Sequence, residues 1–249
     1  MMTAYRRPEA GGAESPLAAE HIAAAAQELG LQLCVQQAQQ LSAYAQLLMR
    51  WNARVNLTAL RAPEQILSHH LLDSLAIVPA LMDLNVPSGA RVLDVGSGAG
   101  LPGIVLAIMM PNWRLTLIDT VGKKAAFLTQ VKLELGLEQV EVIHGRVQDV
   151  AARFDVIVSR AFSALDQFVH ASYAQLAAGG VWAAMQGLAH GAKAGQMVGS
   201  PNTHPRDSGC ARIDKVVKLR VPRLAAQRHL IVMRPWQDAQ TAATREIGG

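Results

Sequence analysis

The spacing of hydrophobic positions changes partway along the chain. From Leu17 to about Leu60 the pattern is helical, and Leu41, Tyr44, Leu48, Trp51 and Val55 recur three and four residues apart as one apolar stripe. Such a stripe is read as core packing. A further helix is predicted over Pro63 to Met82. Short apolar runs then take over, near 91–95, 114–119, 140–144, 154–159 and 180–185, separated by helical stretches near 102–110, 122–135 and 164–177. Strands that alternate with helices predict a parallel, doubly wound α/β sheet. The last two strands, near 214–221 and 228–234, have only Pro222 to Gln227 between them. That is too short for a crossover helix, so they are expected to form an antiparallel hairpin at the sheet edge. Residues 187–213 are rich in Gly, Pro and Ser without a period and are expected as a mobile loop. The expected layout is a disordered tail over 1–16, a helical extension over 17–85 packed on the core, and a sheet domain over 86–249.

The chain has 249 residues, 51% of them hydrophobic, enough for one large core. No apolar run approaches the roughly 20 residues of a membrane helix, and the N-terminus lacks the apolar core of a signal peptide. The two cysteines, Cys34 and Cys210, lie far apart without metal-ligand spacing and fit a reducing cytosol. Net charge is +4, unevenly spread: between Ser200 and Arg234 eight Lys and Arg residues face only Asp207 and Asp214. Such a concentration attracts phosphate backbones. The alternative is a set of solvated edge strands whose cations prevent aggregation.

The most informative segment is Arg91-Val-Leu-Asp94-Val-Gly96-Ser97-Gly98-Ala-Gly100-Leu101-Pro102-Gly103. An apolar run, a carboxylate and closely spaced glycines mark a strand that enters a tight loop and then a helix. Glycines there allow close ligand approach. The helix start offers free N–H groups, and Pro102 suits its first turn. Gly98, Gly100 and Gly103 alone satisfy a dinucleotide fingerprint, which is weak by itself. Asp94 would repel the pyrophosphate that a dinucleotide places at this loop. S-adenosylmethionine carries an ammonium and a sulfonium and no phosphate, so it suits the carboxylate better than NAD does. Asp119 ends the next strand and is a candidate for both ribose hydroxyls. His144 to Gln148 follows the third strand, where an adenine would sit. Arg160 ends the fourth apolar strand, marking either a contact to an anion or carbonyl or a surface salt bridge.

Asn52-Ala-Arg54-Val-Asn56-Leu57-Thr58, His70-Leu-Leu-Asp73-Ser74-Leu75, Asp94 to Gly103, Ser159-Arg160-Ala161-Phe162 and Gln227-Arg228-His229-Leu230 occur in this order. Together they resemble the RsmG family of bacterial small-subunit ribosomal RNA methyltransferases, also called glucose-inhibited division protein B. The resemblance covers roughly residues 40–234. It implies a seven-stranded, Rossmann-like methyltransferase fold, a parallel sheet ending in an antiparallel hairpin. It also implies methyl transfer from S-adenosylmethionine to N7 of one guanine in small-subunit ribosomal RNA, by a monomeric cytoplasmic enzyme acting on that RNA or on the 30S subunit. By the resemblance, Gly96, Leu101, Val147, Gln148 and Arg160 fall at cofactor positions, beside Asp94, Ser97, Gly98, Gly100 and Asp119 of the strand ends and loop. Arg160 is also the candidate catalytic positioning residue. Arg54, Asn56, Lys123, Lys124 and Arg228 are candidates for RNA contact.

Two positions depart from the family pattern. Gln186 stands before Gly187 where the family has Lys, and His69 precedes His70 where the family tends to have Arg or Lys. His69 and Asp73 share an i,i+4 spacing that a metal could use, but no third ligand is apparent and a hydrogen-bonded histidine is the preferred reading. No metal is expected.

Overall fold

A computed structural model describes residues 15–160, 162, 164–188, 191–199 and 209–236. Most of the expected N-terminal tail, Ala161 of the Ser-Arg-Ala-Phe element, and Arg206 and Asp207 of the basic segment lie outside the described residues.

The central feature is one eight-stranded sheet. Its strands are β1 (Arg91–Val95), β2 (Arg114–Asp119), β3 (Val140–His144), β4 (Phe154–Ser159), β5 (Leu176–Gln186), β6 (Met197–Val198), β7 (Ala211–Leu219) and β8 (Arg228–Pro235). They lie in the order β3-β2-β1-β4-β5-β8-β7-β6. The first five are parallel, and β8 pairs antiparallel with both β5 and β7. This is the expected α/β methyltransferase architecture, with the two-residue strand β6 added at the edge. The chain winds outward from β1 to β3 and returns to β4 on the other side of β1. That reversal opens a crevice at the carboxyl ends of β1 and β4.

Both faces of the inner strands are covered, which is why they read as continuous apolar runs. Val92, Leu115, Val156 and Val232 face one core, and Leu93, Ile118, Ile157 and Met233 face the other. The first core is closed by α1 (Ala19–Gln27), α2 (Val35–Val55), the helical run from 63 to 82, α6 (Gly103–Met109) and α7 (Gly122–Leu135). The stripe on α2 packs as expected: Leu41, Tyr44 and Leu48 are fully buried, and Trp51 meets Phe127 of α7 at 5.6 Å between ring centroids. The second core is covered by α8 (Leu165–Ser172), where Ser172 accepts the indole N–H of Trp182 at 3.0 Å.

Several boundaries differ from the sequence reading. The helix expected over 63–82 is broken into α3 (Pro63–Ile66), a π-helical stretch (Leu67–Leu72), α4 (Asp73–Leu75) and α5 (Val78–Met82). Its apolar pattern survives one wider turn, so composition conceals the break. Pro102 sits at the cap before α6, after a cis bond from Leu101, and not inside the first turn. The helix expected to reach 177 stops at Ser172, and β5 already begins at Leu176. The stretch expected as a mobile loop contains β6, paired to Ala211 and Arg212 of β7. A strand of two residues is too short to leave an alternating pattern. Among the described residues no helix is long and apolar enough to cross a membrane.

Candidate active site

The glycine loop follows β1, and its backbone is almost entirely satisfied from within. Gly96 and Ser97 donate to the Ile118 carbonyl at 2.9 and 3.1 Å, Gly98 donates to Asp119 Oδ2 at 2.9 Å, and Gly100 and Leu101 donate to the Ser97 carbonyl at 2.7 and 3.1 Å. Free N–H groups were expected at the helix start; there Gly103 donates to Asp94 Oδ2 at 3.0 Å and Ile104 to the Gly100 carbonyl at 2.8 Å. The glycines also serve internal packing. At Gly100 the backbone has φ +92°, and a Cβ would come within 2.6 Å of Ile104 and 2.9 Å of Leu128. At Gly103 a Cβ would lie 2.6 Å from Asp94 Oδ2. From below, the Tyr44 hydroxyl donates to the Ala99 carbonyl at 2.6 Å, tying α2 to the loop.

Asp94 is fully buried. Its Oδ2 accepts the Gly103 N–H at 3.0 Å and so supports the start of α6. Its Oδ1 is buried with no hydrogen-bond partner among the described residues. Burial pushes the carboxyl up to about 7, against the pull of the Gly103 N–H and Ser97. Asp119 is also buried at its strand end. It was expected to hold two ribose hydroxyls; here Oδ2 accepts from Gly98, and Oδ1 from Val121 at 2.8 Å. Lys124, expected to face RNA, lies in the first turn of α7 with its Nζ 3.8 Å from Asp119 Oδ2. Beyond β3, Val147 is buried, Leu101 is buried behind the loop, and Gln148 is exposed.

The second half of the site forms where β4, β5, β8 and the π-helical stretch meet. Asp73, buried, binds Arg228 Nε through Oδ1 at 2.9 Å and Arg160 through Oδ2 at 3.5 Å. Arg160 also donates to the His69 carbonyl at 3.2 Å and lies 3.4 Å from His70 Nδ1. His70 Nε2 meets Thr58 Oγ1 at 2.9 Å, and Asn52 holds the Thr58 N–H at 2.9 Å. Burial, and secondarily the Arg160 charge, push the His70 pKa down to about 4. Burial also pushes the Asp73 carboxyl up, with Arg228 and Arg160 opposing it. His69, His70, Asp73, Arg160 and Arg228 line, with Gln186 and Gly187, a cavity of about 370 Å³. Both departures from the family pattern, His69 and Gln186, thus face this cavity.

The motifs scattered over the sequence converge here, but not all in the expected roles. Arg228 was expected to reach outward to phosphates. It is half-buried and held on Asp73. Asn56 caps α2 in a left-handed conformation, and its Oδ1 accepts from Arg61 at 3.0 Å. Arg54 and Lys123 are exposed. His69 turns to Ser68 at 2.8 Å and not toward Asp73. The double anchor role of Asp73 was missed. Its signal was an acid within a helical run of leucines, since a buried carboxylate demands a partner.

Known proteins resemble this chain in sequence and in fold. The GidB family model, described as rRNA small subunit methyltransferase G, matches residues 37–202. A ribosomal RNA small subunit methyltransferase G from Ectopseudomonas mendocina is 45% identical over 223 residues, covering 87% of this chain and 95% of that protein. Its counterpart from Burkholderia mallei is 44% identical over 236 residues, covering 92% and 96%. A SAM-dependent methyltransferase from Leishmania major shares the fold at 14% identity, with a TM-score of 0.50 over 77% of this chain and 83% of that one. With motifs, strand order and two full-length relatives in agreement, the chain belongs to the GidB family, the rRNA small subunit methyltransferase G proteins.

Proposed function

We propose that this protein transfers a methyl group from S-adenosylmethionine to N7 of a guanine in small-subunit ribosomal RNA, acting as a cytoplasmic monomer. The observation that carries the choice of cofactor is the glycine loop with its N–H groups already engaged. A dinucleotide pyrophosphate needs such donors. S-adenosylmethionine needs acceptors, and acceptors are what the rim offers. Asp94 Oδ1, buried without a partner among the described residues, is a candidate for its ammonium. Asp119 uses one lone pair of each oxygen on backbone, which leaves capacity for ribose hydroxyls.

S-adenosylmethionine supplies an electrophilic methyl group on a sulfonium. Guanine N7 carries an in-plane lone pair, so no proton must leave it and no general base is required. The residues of the chain act by alignment. Arg160 is held from three sides, by Asp73, His69 and His70, and is the positioning residue between the loop and the cavity. Positive charge grows on the guanine during transfer. His70, neutral at pH 7 with its pKa near 4, adds no further cation there, and Asp73 offsets one of the two arginines.

The test is incubation with radiolabelled S-adenosylmethionine and small subunits from cells lacking the protein, followed by mapping of the label. Label at a single guanine N7 is expected, and Arg160→Ala should abolish most of it. That variant should still fold, because Asp73 keeps Arg228. Label on protein or at another base position would overturn the proposal.

A further inference from the structure

Beside the candidate site lies a second groove. It encloses about 840 Å³ between Glu28, just after α1, and the β7–β8 turn, with Lys218, Arg220, Arg223 and Gln227 on its walls. The sheet register fixes its position. Leu219 pairs with Arg228 and Lys218 with His229. Lys218 therefore stands one strand spacing, about 4.8 Å, from the strand that carries Arg228 into the candidate cavity, and Arg220 and Arg223 follow it in the β7–β8 turn. Gln227 lines the groove and Arg228 lines the cavity, so the two hollows adjoin along the backbone.

Three cations meet one carboxylate in this groove. Lys218, Arg220 and Arg223 are exposed. Arg223 has φ 62°, a left-handed conformation unusual for a residue other than glycine, and its guanidinium meets Glu28 at 3.2 Å. Arg228, by contrast, is already neutralised on Asp73.

We infer that this groove binds the sugar-phosphate backbone of the substrate RNA next to the methylated nucleotide, with Lys218, Arg220 and Arg223 contacting phosphates. Glu28 then competes with the RNA for Arg223. The inference rests on the proposed methylation of ribosomal RNA. Exposed cations on an open groove bind phosphates by releasing condensed counterions, and such contacts set register without reading bases. The base itself is handled one strand away.

The experiment measures affinity for a small-subunit ribosomal RNA transcript over a salt series, with S-adenosylmethionine affinity and methyl transfer measured in parallel. The double variant Lys218→Ala/Arg220→Ala should weaken RNA binding about tenfold and lower the salt slope by about 1.4, two single-strand contacts. Its S-adenosylmethionine affinity should match the parent. Glu28→Gln should tighten RNA binding by roughly two- to fivefold, the worth of an exposed ion pair, which a misfolded variant would not do. If the double variant keeps the parental affinity and slope while the parent methylates its RNA, the groove assignment is overturned and the methyltransferase reading stands. A Glu28→Gln variant that binds RNA more weakly also overturns it. If the parent neither binds nor methylates the RNA, both readings fall.

Discussion

At the scale of single residues, the acids of the site do two jobs at once. Asp119 braces the glycine loop and the start of α7 while facing the rim. Asp119→Ala should weaken S-adenosylmethionine binding by about 1–3 kcal/mol, the usual consequence of removing a charged hydrogen-bond partner. Calorimetry on the folded variant checks this, and an unchanged dissociation constant would remove Asp119 from the cofactor site. Asp94 and His70 make an opposed pair in pH. The His70 pKa falls from 6.5 to about 4 on folding, so its neutral burial favours the native state above 6.5, and that contribution is lost as pH falls toward 4. The Asp94 pKa rises from 3.8 to about 7, so its contribution is full below 3.8 and is lost as pH rises toward 7. Between these limits the two slopes oppose each other, each up to about 1.4 kcal/mol per pH unit. Relative to the parent, His70→Gln should lose stability as pH rises through this window, and Asp94→Asn should gain it. Urea titrations at several pH values decide. Parallel pH profiles for all three proteins would contradict the assigned burial effects.

At the scale of elements, the sequence was legible where local pattern and tertiary role coincide. Strands β1, β2 and β4 read directly, since each is a short apolar run buried on both faces, and β3 reads from its β-branched residues although it lies half-buried at the sheet edge. The glycine loop read correctly as a tight turn between β1 and α6, and its glycines serve packing: Gly100 and Gly103 make room for Ile104, Leu128 and Asp94. The pairing of Asp73 with Arg228 was not legible, because the two lie 155 residues apart and only the sheet order joins them. The π-helical stretch was equally hidden. It presents the His69 carbonyl to Arg160, and such bulges are frequent at functional sites. Helix α2 had been read as core alone, yet Tyr44 also holds the loop through Ala99. Tyr44→Phe should cost about 1–3 kcal/mol, because it leaves a buried carbonyl unpaired, and should loosen cofactor binding. Equilibrium denaturation and calorimetry together test this. Equal stability with equal affinity would make the hydroxyl incidental.

At the scale of the molecule, the N-terminal helices complete the core. Ile22, Ala25 and Ala26 of α1 are fully buried in the same cluster as Val92 of β1 and Val232 of β8. Leu17 and Leu31, on either side of α1, are buried with them. Fully burying a large aliphatic side chain is worth about 1.5–3 kcal/mol, so a chain lacking residues 1–34 should lose several kcal/mol. Its urea midpoint should collapse, and a truncated chain with the parental midpoint would show that α1 is dispensable. The sheet order has a further consequence, for the time course of synthesis. Strand β8 is the last strand among the described residues and lies between β5 and β7, so β6 and β7 join the sheet only through it. A nascent chain can complete the glycine loop and Asp119 early, but Asp73 gains Arg228 only when the final strand inserts. On the proposed roles, cofactor capture can therefore precede competence. The candidate cavity cannot close until the ribosome has translated β8, 155 residues after Asp73.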